Sequence, residues 1–297
     1  MAVSFYTIYL KTTNHNFART GKMTAPSFYA RLQRVTHSGS VRLAMTLSII
    51  IFIFGLIIGS FINVCIYRLP RRESVVFPAS HCPSCQGPIR FYDNIPLIGF
   101  LNLRGRCRAC HAAISKQYPL VEAIHAIGYL FIFHHFGYTI ETVIYALFFS
   151  ALLVITFIDI AHQIIPDRIT LPGIPLCFAL ASTVLPLGPM QAGLGFVVGG
   201  GLFYLIAILS TTLLKKEGMG GGDIKLVAMI GALLGWQKVL LTVFAASLLG
   251  SIIGLSLILC RVTSRRDPIP FGPFLAVGAL IALFWGDHML NWYFDAS

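Results

Sequence analysis

Long apolar runs separated by short polar joints make up most of this chain after a polar N-terminal stretch. About 20 apolar residues suffice to cross a bilayer as a helix. The pattern predicts eight such spans, at residues 45–67, 119–136, 140–158, 170–187, 191–214, 224–236, 239–260 and 271–290. The sixth is short for a spanning helix, so we expect it to be broken or tilted within the bundle. The predicted fold is an all-α polytopic membrane protein with about eight transmembrane helices.

Composition and charge support a membrane location. The chain of 297 residues is 56% hydrophobic and 11% charged, whereas a soluble domain carries about a quarter charged residues. The net charge of +11 does not indicate a nucleic-acid partner, because the basic residues sit in short segments beside apolar runs. Placing the polar loop 68–118 in the cytoplasm puts fifteen Lys/Arg on that side and only Lys238 on the other. This asymmetry predicts a cytoplasmic loop in a multi-pass membrane protein that is in contact with lipid.

The N-terminal stretch 1–44 does not fit this orientation. It holds six Lys/Arg, no acid and no apolar run long enough to span. Its charges would face outward, so the pattern favours Met45 as the native start and 1–44 as an extension that is not native. A targeting peptide is the alternative, although no secretory apolar region precedes Met45. The predicted divisions are 1–44, the first helix 45–67, the loop domain 68–118, the helical bundle 119–291 and a tail 292–297.

Four cysteines in the loop form two close pairs. Cys82, Cys85, Cys107 and Cys110 follow the pattern C-x2-C-x21-C-x2-C, close to that of a zinc ribbon. Four thiolates suit Zn²⁺ with no open position for catalysis, and a metal would supply folding energy that a small loop lacks. The alternatives are two disulfides, which a reducing cytoplasm disfavours, or a redox dithiol. The other three cysteines lie in or at the ends of apolar spans and are predicted to be buried small hydrophobes, at Cys65, Cys177 and Cys260.

Two carboxylates stand at the edges of predicted spans. Asp159 ends the third span and Asp223 begins the sixth, so the topology brings two acids 64 residues apart to one depth. An acid in such surroundings indicates a functional site by default. The structural alternative pairs Asp223 with Lys225, and Asp159 with His162 or Arg168.

Three glycines precede Asp223 at 220–222, a poor sequence for a helix interior. Glycines allow strained backbone angles and close approach of another chain. Two carboxylates a few ångströms apart share one proton, so that one can act as base while the other donates. Together these features predict cleavage of a peptide backbone at the membrane boundary, by Asp159 and Asp223.

Six motifs in order resemble those of the bacterial type IV prepilin leader peptidases. They are GSFINVCIYRLP at 59–70, the paired C-x2-C knuckles, YPLVE at 118–122, Asp159 followed by IPD at 165–167, GGGDIKL at 220–226 and IPFGPFL at 269–275. The match runs through nearly everything after Met45. Residues 1–44 fall outside it.

The resemblance implies a G-x-G-D aspartyl protease whose catalytic pair matches Asp159 and Asp223. It also implies N-methylation of the new N-terminus with S-adenosylmethionine, with prepilins and type II secretion pseudopilins as substrates. The resemblance further implies a location in the bacterial inner membrane. The family places methylation with the cytoplasmic loop, where Glu73, and Glu122 just beyond it, are weak candidates and no methyl-donor motif is visible. Two alternatives stay open: a G-x-G-D intramembrane protease without methylation, and a non-enzymatic zinc-bearing assembly scaffold.

Overall fold

The structure is a computed structural model that describes residues 25–213, 220–261 and 269–295, with side chains at 44–212, 220–261 and 269–293. Parts of the predicted extension (1–24) and tail (296–297) lie outside the described residues. So do four of the basic residues counted for the orientation, Lys215, Lys216, Arg265 and Arg266.

Helices make up all the regular structure in the described ranges, apart from two isolated β-bridges. They are α1 (Ala25–Arg68), a 3₁₀ helix (Phe91–Asn94), α2 (Ile98–Asn102), α3 (Gln117–Phe136), α4 (Ile140–His162), α5 (Asp167–Thr183), α6 (Pro189–Leu213), α7 (Gly221–Leu234), α8 (Trp236–Leu259) and α9 (Gly272–Asp295). Each of the eight apolar runs coincides with one of these helices. The all-α membrane fold is therefore confirmed.

Five helices are long and apolar enough to cross a membrane, judged by length and composition. They are Ala44–Arg68 within α1, all of α4, Pro189–Thr212 of α6, all of α8, and Gly272–Tyr293 of α9. The predicted count of eight spans is not confirmed, because α3, α5 and α7 do not meet this measure in the described residues.

The first helix begins earlier than expected, at Ala25 instead of near residue 45. Residues 25–44 contain no long apolar run, so the pattern of apolar positions did not predict a helix there. The chain divides into two units, Met1–Ile50 and Ile51–Ser297. The first contains the amino-terminal part of α1, and the second contains everything described below.

Helix α7 is the centre of the bundle. It packs against α5, α6, α8 and α9, and every residue from Leu226 to Leu234 is buried. A helix that is apolar on all sides belongs in an interior. The expectation of a broken sixth span is wrong, since α7 is a continuous helix of 14 residues enclosed by its neighbours. The alternative, a tilted span, stays a prediction.

A second apolar cluster joins α1, α3 and α4. Ile62 and Ile66 of α1 meet Val121 of α3 and Ile158 of α4, all at most 5% exposed. Because α1 and α3 flank the loop 69–116, this cluster brings both ends of the loop to the end of α4. Hydrogen bonds also join the same three helices. His125 of α3 contacts the Gly55 carbonyl of α1 through Nδ1 (2.7 Å) and Ser150 Oγ of α4 through Nε2 (2.9 Å).

Candidate active site

Asp159 lies in the last turn of α4 and is 5% exposed. Its Oδ2 accepts a hydrogen bond of 2.9 Å from the backbone N–H of Gly272, the first residue of α9. A Cβ on Gly272 would stand only 2.6 Å from that oxygen, so only glycine permits this contact. The IPFGPFL segment therefore holds the Asp159 carboxylate in place through the Gly272 N–H.

Asp223 lies in the first turn of α7 and is half-buried. The helix begins at Gly221, after Gly220 in an extended conformation. The expectation of strained backbone angles is wrong, since none of the three glycines has a positive φ. The close approach is confirmed at one of them: a Cβ on Gly222 would lie 2.8 Å from the Cβ of Ile165 in the α4–α5 connection.

The two acids are close enough to interact electrostatically. Among the described residues neither forms an ion pair, and Lys225 instead binds Asp167, Nζ to Oδ1 at 2.7 Å. The predicted structural pairing of Asp223 with Lys225 is therefore wrong. Two acids that repel each other, with no cation paired to either, favour a state in which one of them keeps its proton. That state offers one base and one proton donor at a peptide bond.

The four loop cysteines form two knuckles of the same shape. In the first, the N–H of Cys82 donates to Gly87 O and that of Gln86 to Cys82 O; in the second, Cys107 donates to Ala112 O and His111 to Cys107 O. Gln86 and His111 occupy matching positions and both have φ of 57°. The sequence pattern repeats, and the backbone repeats with it.

The knuckles turn their sulfurs toward one point. The four Sγ atoms lie within 4.8 Å of one another, and those of Cys82 and Cys110 are 3.8 Å apart. A tetrahedral Zn²⁺ with bonds of about 2.3 Å places its sulfurs about 3.8 Å apart. All four thiols are free, so the disulfide alternative is not supported. The cluster thus fits zinc.

Thiol protonation in this cluster is uneven. Hydrogen bonds, chiefly from the Cys85 backbone, lower the pKa of Cys82 to about 6. The Ala112 backbone lowers the pKa of Cys110, but burial and the neighbouring thiols outweigh it and raise the value to about 11. Four adjacent thiols give up all their protons only around a cation. Outside the cluster, Cys177 is buried as predicted, but Cys65 is only half-buried and Cys260, just past α8, is exposed.

Buried polar side chains fasten the loop to the bundle. Asn63 Nδ2 donates to Tyr118 O (3.0 Å), and Arg68 donates to Ser74 O (2.9 Å) and Pro78 O (2.7 Å). Both side chains are at most 5% exposed. Sequence reasoning missed these two roles, although both residues lie in the first motif. An asparagine and an arginine at the end of an apolar run were the available signal.

A bidentate ion pair joins the second knuckle to the 3₁₀ helix. Arg108 donates to Asp93 through Nε (2.8 Å) and Nη2 (2.6 Å). The guanidinium holds the pKa of Asp93 below its usual range, and the carboxylate raises the pKa of Arg108.

A cavity of about 860 Å³ lies between the loop and the bundle. Its walls include the knuckles at Cys82 and Cys107, and it extends to Ala161 and His162 at the end of α4, just past Asp159. Glu122 lines this cavity, whereas Glu73 is exposed and outside the lining. Of the two weak methylation candidates, only Glu122 is therefore placed to act there.

These features define a class: a polytopic helical membrane protein with paired acids at the ends of two core helices and a four-thiol loop docked beside them. Two family models together match most of the chain. Residues 53–136 match the Bacterial Peptidase A24 N-terminal domain, and residues 146–255 match the Type IV leader peptidase family.

Curated relatives extend the match. The chain is 39% identical over 273 residues to the prepilin leader peptidase/N-methyltransferase of Aeromonas salmonicida (82% of this chain, 92% of the relative). It is 38% identical over 264 residues to that of Pseudomonas aeruginosa (81% and 91%), and 36% over 276 residues to that of Legionella pneumophila (82% and 93%). No solved structure matches significantly. The chain belongs to the type IV leader peptidase family.

Proposed function

We propose that this protein removes the leader peptide from type IV prepilins or type II secretion pseudopilins, with Asp159 and Asp223 as the catalytic pair. The observation that supports this is the electrostatic interaction of two acids from α4 and α7, neither of which has an ion-pair partner in the described residues. The names of the relatives agree with this activity.

The chemistry follows from one shared proton. The ionised carboxylate takes a proton from water as the oxygen attacks the scissile carbonyl, while its protonated partner donates a hydrogen bond to the carbonyl oxygen. The tetrahedral intermediate then collapses: the C–N bond breaks, and the leaving nitrogen takes up the proton that came from water. The Gly272 N–H stabilises negative charge on Asp159 and fixes its orientation. We assign the proton to the pair as a whole, because coupled acids titrate together.

Substitution of each acid tests this assignment. Asp159→Asn and Asp223→Asn should each abolish leader removal, followed by the size shift of a precursor, while the protein still inserts in the membrane. The matched control is Asp167→Asn, which should keep much of its activity because Asp167 binds Lys225 and lies outside the pair. Normal processing by either catalytic variant would remove that residue from the assignment.

We further propose that the loop carries the methyltransferase activity and a structural zinc at Cys82, Cys85, Cys107 and Cys110. S-adenosylmethionine, when bound, supplies an electrophilic methyl group on a sulfonium. The cavity beside the knuckles fits such a donor in volume, since ligand pockets of about 300–1,000 Å³ are usual. Arg71 and Tyr118 are among the residues that line this cavity, where the guanidinium would hold the donor's carboxylate and the ring would pack on its adenine.

The order of the two activities separates this proposal from its alternatives. Only cleavage exposes the amine, so the aspartate variants should yield no methylated product from intact precursor. Given substrate already trimmed to its mature N-terminus, they should still methylate it, because the acids belong to the bundle and not to the loop. Mass spectrometry of the mature N-terminus measures this. Wild-type product that never gains a methyl group would leave a protease only, and an absence of any processing would favour a scaffold.

A further inference from the structure

The cavity between loop and bundle contains one carboxylate that the proposed chemistry has not yet used. Among the described residues that line it, Asp93 and Glu122 are the acids, and Asp93 is already held by Arg108. Glu122 is 7% exposed and has no ion-pair partner within the part of the chain that the structure describes.

The surroundings of Glu122 are polar but neutral. Its Oε2 accepts a hydrogen bond of 2.8 Å from the Leu97 N–H, and Ser60 of α1 is its other polar neighbour. Close packing fixes its backbone, because a Cβ on Gly59 would stand 2.9 Å from the Glu122 Cα. A carboxylate accepts about four hydrogen bonds, so these donors leave room for a further one. A buried carboxylate is costly unless it keeps a proton or pairs with a cation, so a cationic ligand is one way to complete this site.

The cavity also reaches the end of α4, the helix that carries Asp159. Its wall passes from Glu122 to Ala161 and His162, which follow Asp159 at the end of α4. A chain cut at Asp159 and Asp223 would therefore have its new end near this cavity. That end is an α-amine with an ordinary pKa near 8, so it is mostly an ammonium ion at neutral pH.

We propose that Glu122 binds the new N-terminal ammonium of the cleaved substrate and accepts its proton for methylation. This rests on the proposed function. In the step, the ammonium proton passes to the Glu122 carboxylate, and the freed nitrogen lone pair forms the N–CH₃ bond. The S–CH₃ bond of the donor breaks, with its electron pair left on sulfur as a thioether. The nitrogen keeps its other two protons, so the product is a secondary ammonium ion, and Glu122 then releases its proton to water.

Binding without any methyl donor is the first test. Wild-type protein should bind a mature-sequence peptide with a free N-terminus about 10- to 100-fold more tightly than its N-acetylated form, the range expected of one charge-assisted hydrogen bond. In Glu122→Gln this preference should vanish. Glutamine keeps a carbonyl oxygen for the Leu97 N–H, so the loop contact survives while the charge is lost. Glu73→Gln, which changes an exposed loop acid outside the cavity, is the matched control and should keep the preference.

Methylation of the pre-cleaved peptide is the second test. Glu122→Gln should methylate it far more slowly than wild type and Glu73→Gln, with zinc content and leader removal showing that the protein is folded. Equal binding of free and acetylated peptides by wild type would overturn the proposal, and so would a preference or methylation rate that survives in Glu122→Gln. Weaker S-adenosylmethionine binding with an intact peptide preference would also overturn it, since Glu122 would then contact the donor's amine. If wild type shows the preference but never methylates, the methyltransferase proposal fails while the ammonium site stands.

Discussion

Adding a methyl group should have very different effects at Gly221 and Gly222, the two glycines that directly precede Asp223. Gly222→Ala would place a Cβ 2.8 Å from the Ile165 Cβ, whereas a Cβ on Gly221 would meet nothing within 4 Å. Carbon atoms prefer separations of about 3.5–4.0 Å. The N-terminus of α7 must therefore move by about 1 Å from the α4–α5 connection in Gly222→Ala.

That displacement acts directly on the pair of acids. Ile165 lies six residues after Asp159 and Gly222 directly precedes Asp223, so moving the two segments apart moves the two carboxylates apart. A misplacement of about 1 Å can cost about 10²-fold in rate. Gly222→Ala should therefore lower kcat for leader removal by about 100-fold. Gly221→Ala should stay within about twofold of wild type, since its φ is not positive and alanine is a better helix former than glycine.

Initial rates of precursor processing by purified protein, with zinc content as a measure of an intact loop, would decide the matter. The reasoning fails if Gly222→Ala processes precursor at the wild-type rate. It also fails if Gly221→Ala loses activity to the same extent, because the glycines would then matter for flexibility and not for close packing.

Two further predictions concern the loop. Purified protein should contain one zinc per chain, and Cys107→Ser should lose it with methylation suffering at least as much as leader removal; metal analysis that finds none, with four free thiols, would refute the site. The Asp93–Arg108 pair should stabilise the loop above the unfolded pKa of Asp, near 3.9, because folding lowers the Asp93 pKa. Thermal unfolding of wild type and Asp93→Asn should therefore differ at pH 7 and converge as the pH falls toward 4 and below; a difference independent of pH would contradict the assignment.

Much of this architecture could be predicted because the length and apolar composition of membrane helices identify them in the sequence. Each predicted run became a helix, and the repeated C-x2-C spacing predicted a four-sulfur cluster. The start of α1 at Ala25 escaped prediction because its first part is polar. The shortness of α7 suggested a broken span, since the sequence does not show which helices enclose it.

Contacts between distant segments were out of reach of the sequence. Lys225 stands two residues from Asp223, and local spacing favoured that pair, but the fold brings Asp167 closer. The donation from Gly272 to Asp159 crosses 113 positions. Glu122 was only a weak candidate until the cavity placed it opposite the end of α4. In each case a hydrogen bond depends on tertiary packing that no local pattern encodes.

The length of α7 has a consequence for water. Fourteen residues rise about 21 Å, against about 30 Å of hydrocarbon. At its carboxyl end α7 passes into α8 through Gly235, which packs against Leu187 in the connection between α5 and α6. Because the carboxyl end is held in this way, we expect the shortfall of about 9 Å at the opposite end, beside Asp223. Hydrolysis consumes a water molecule that lipid would exclude, and a gap of this kind in the hydrocarbon layer would let solvent reach the acids.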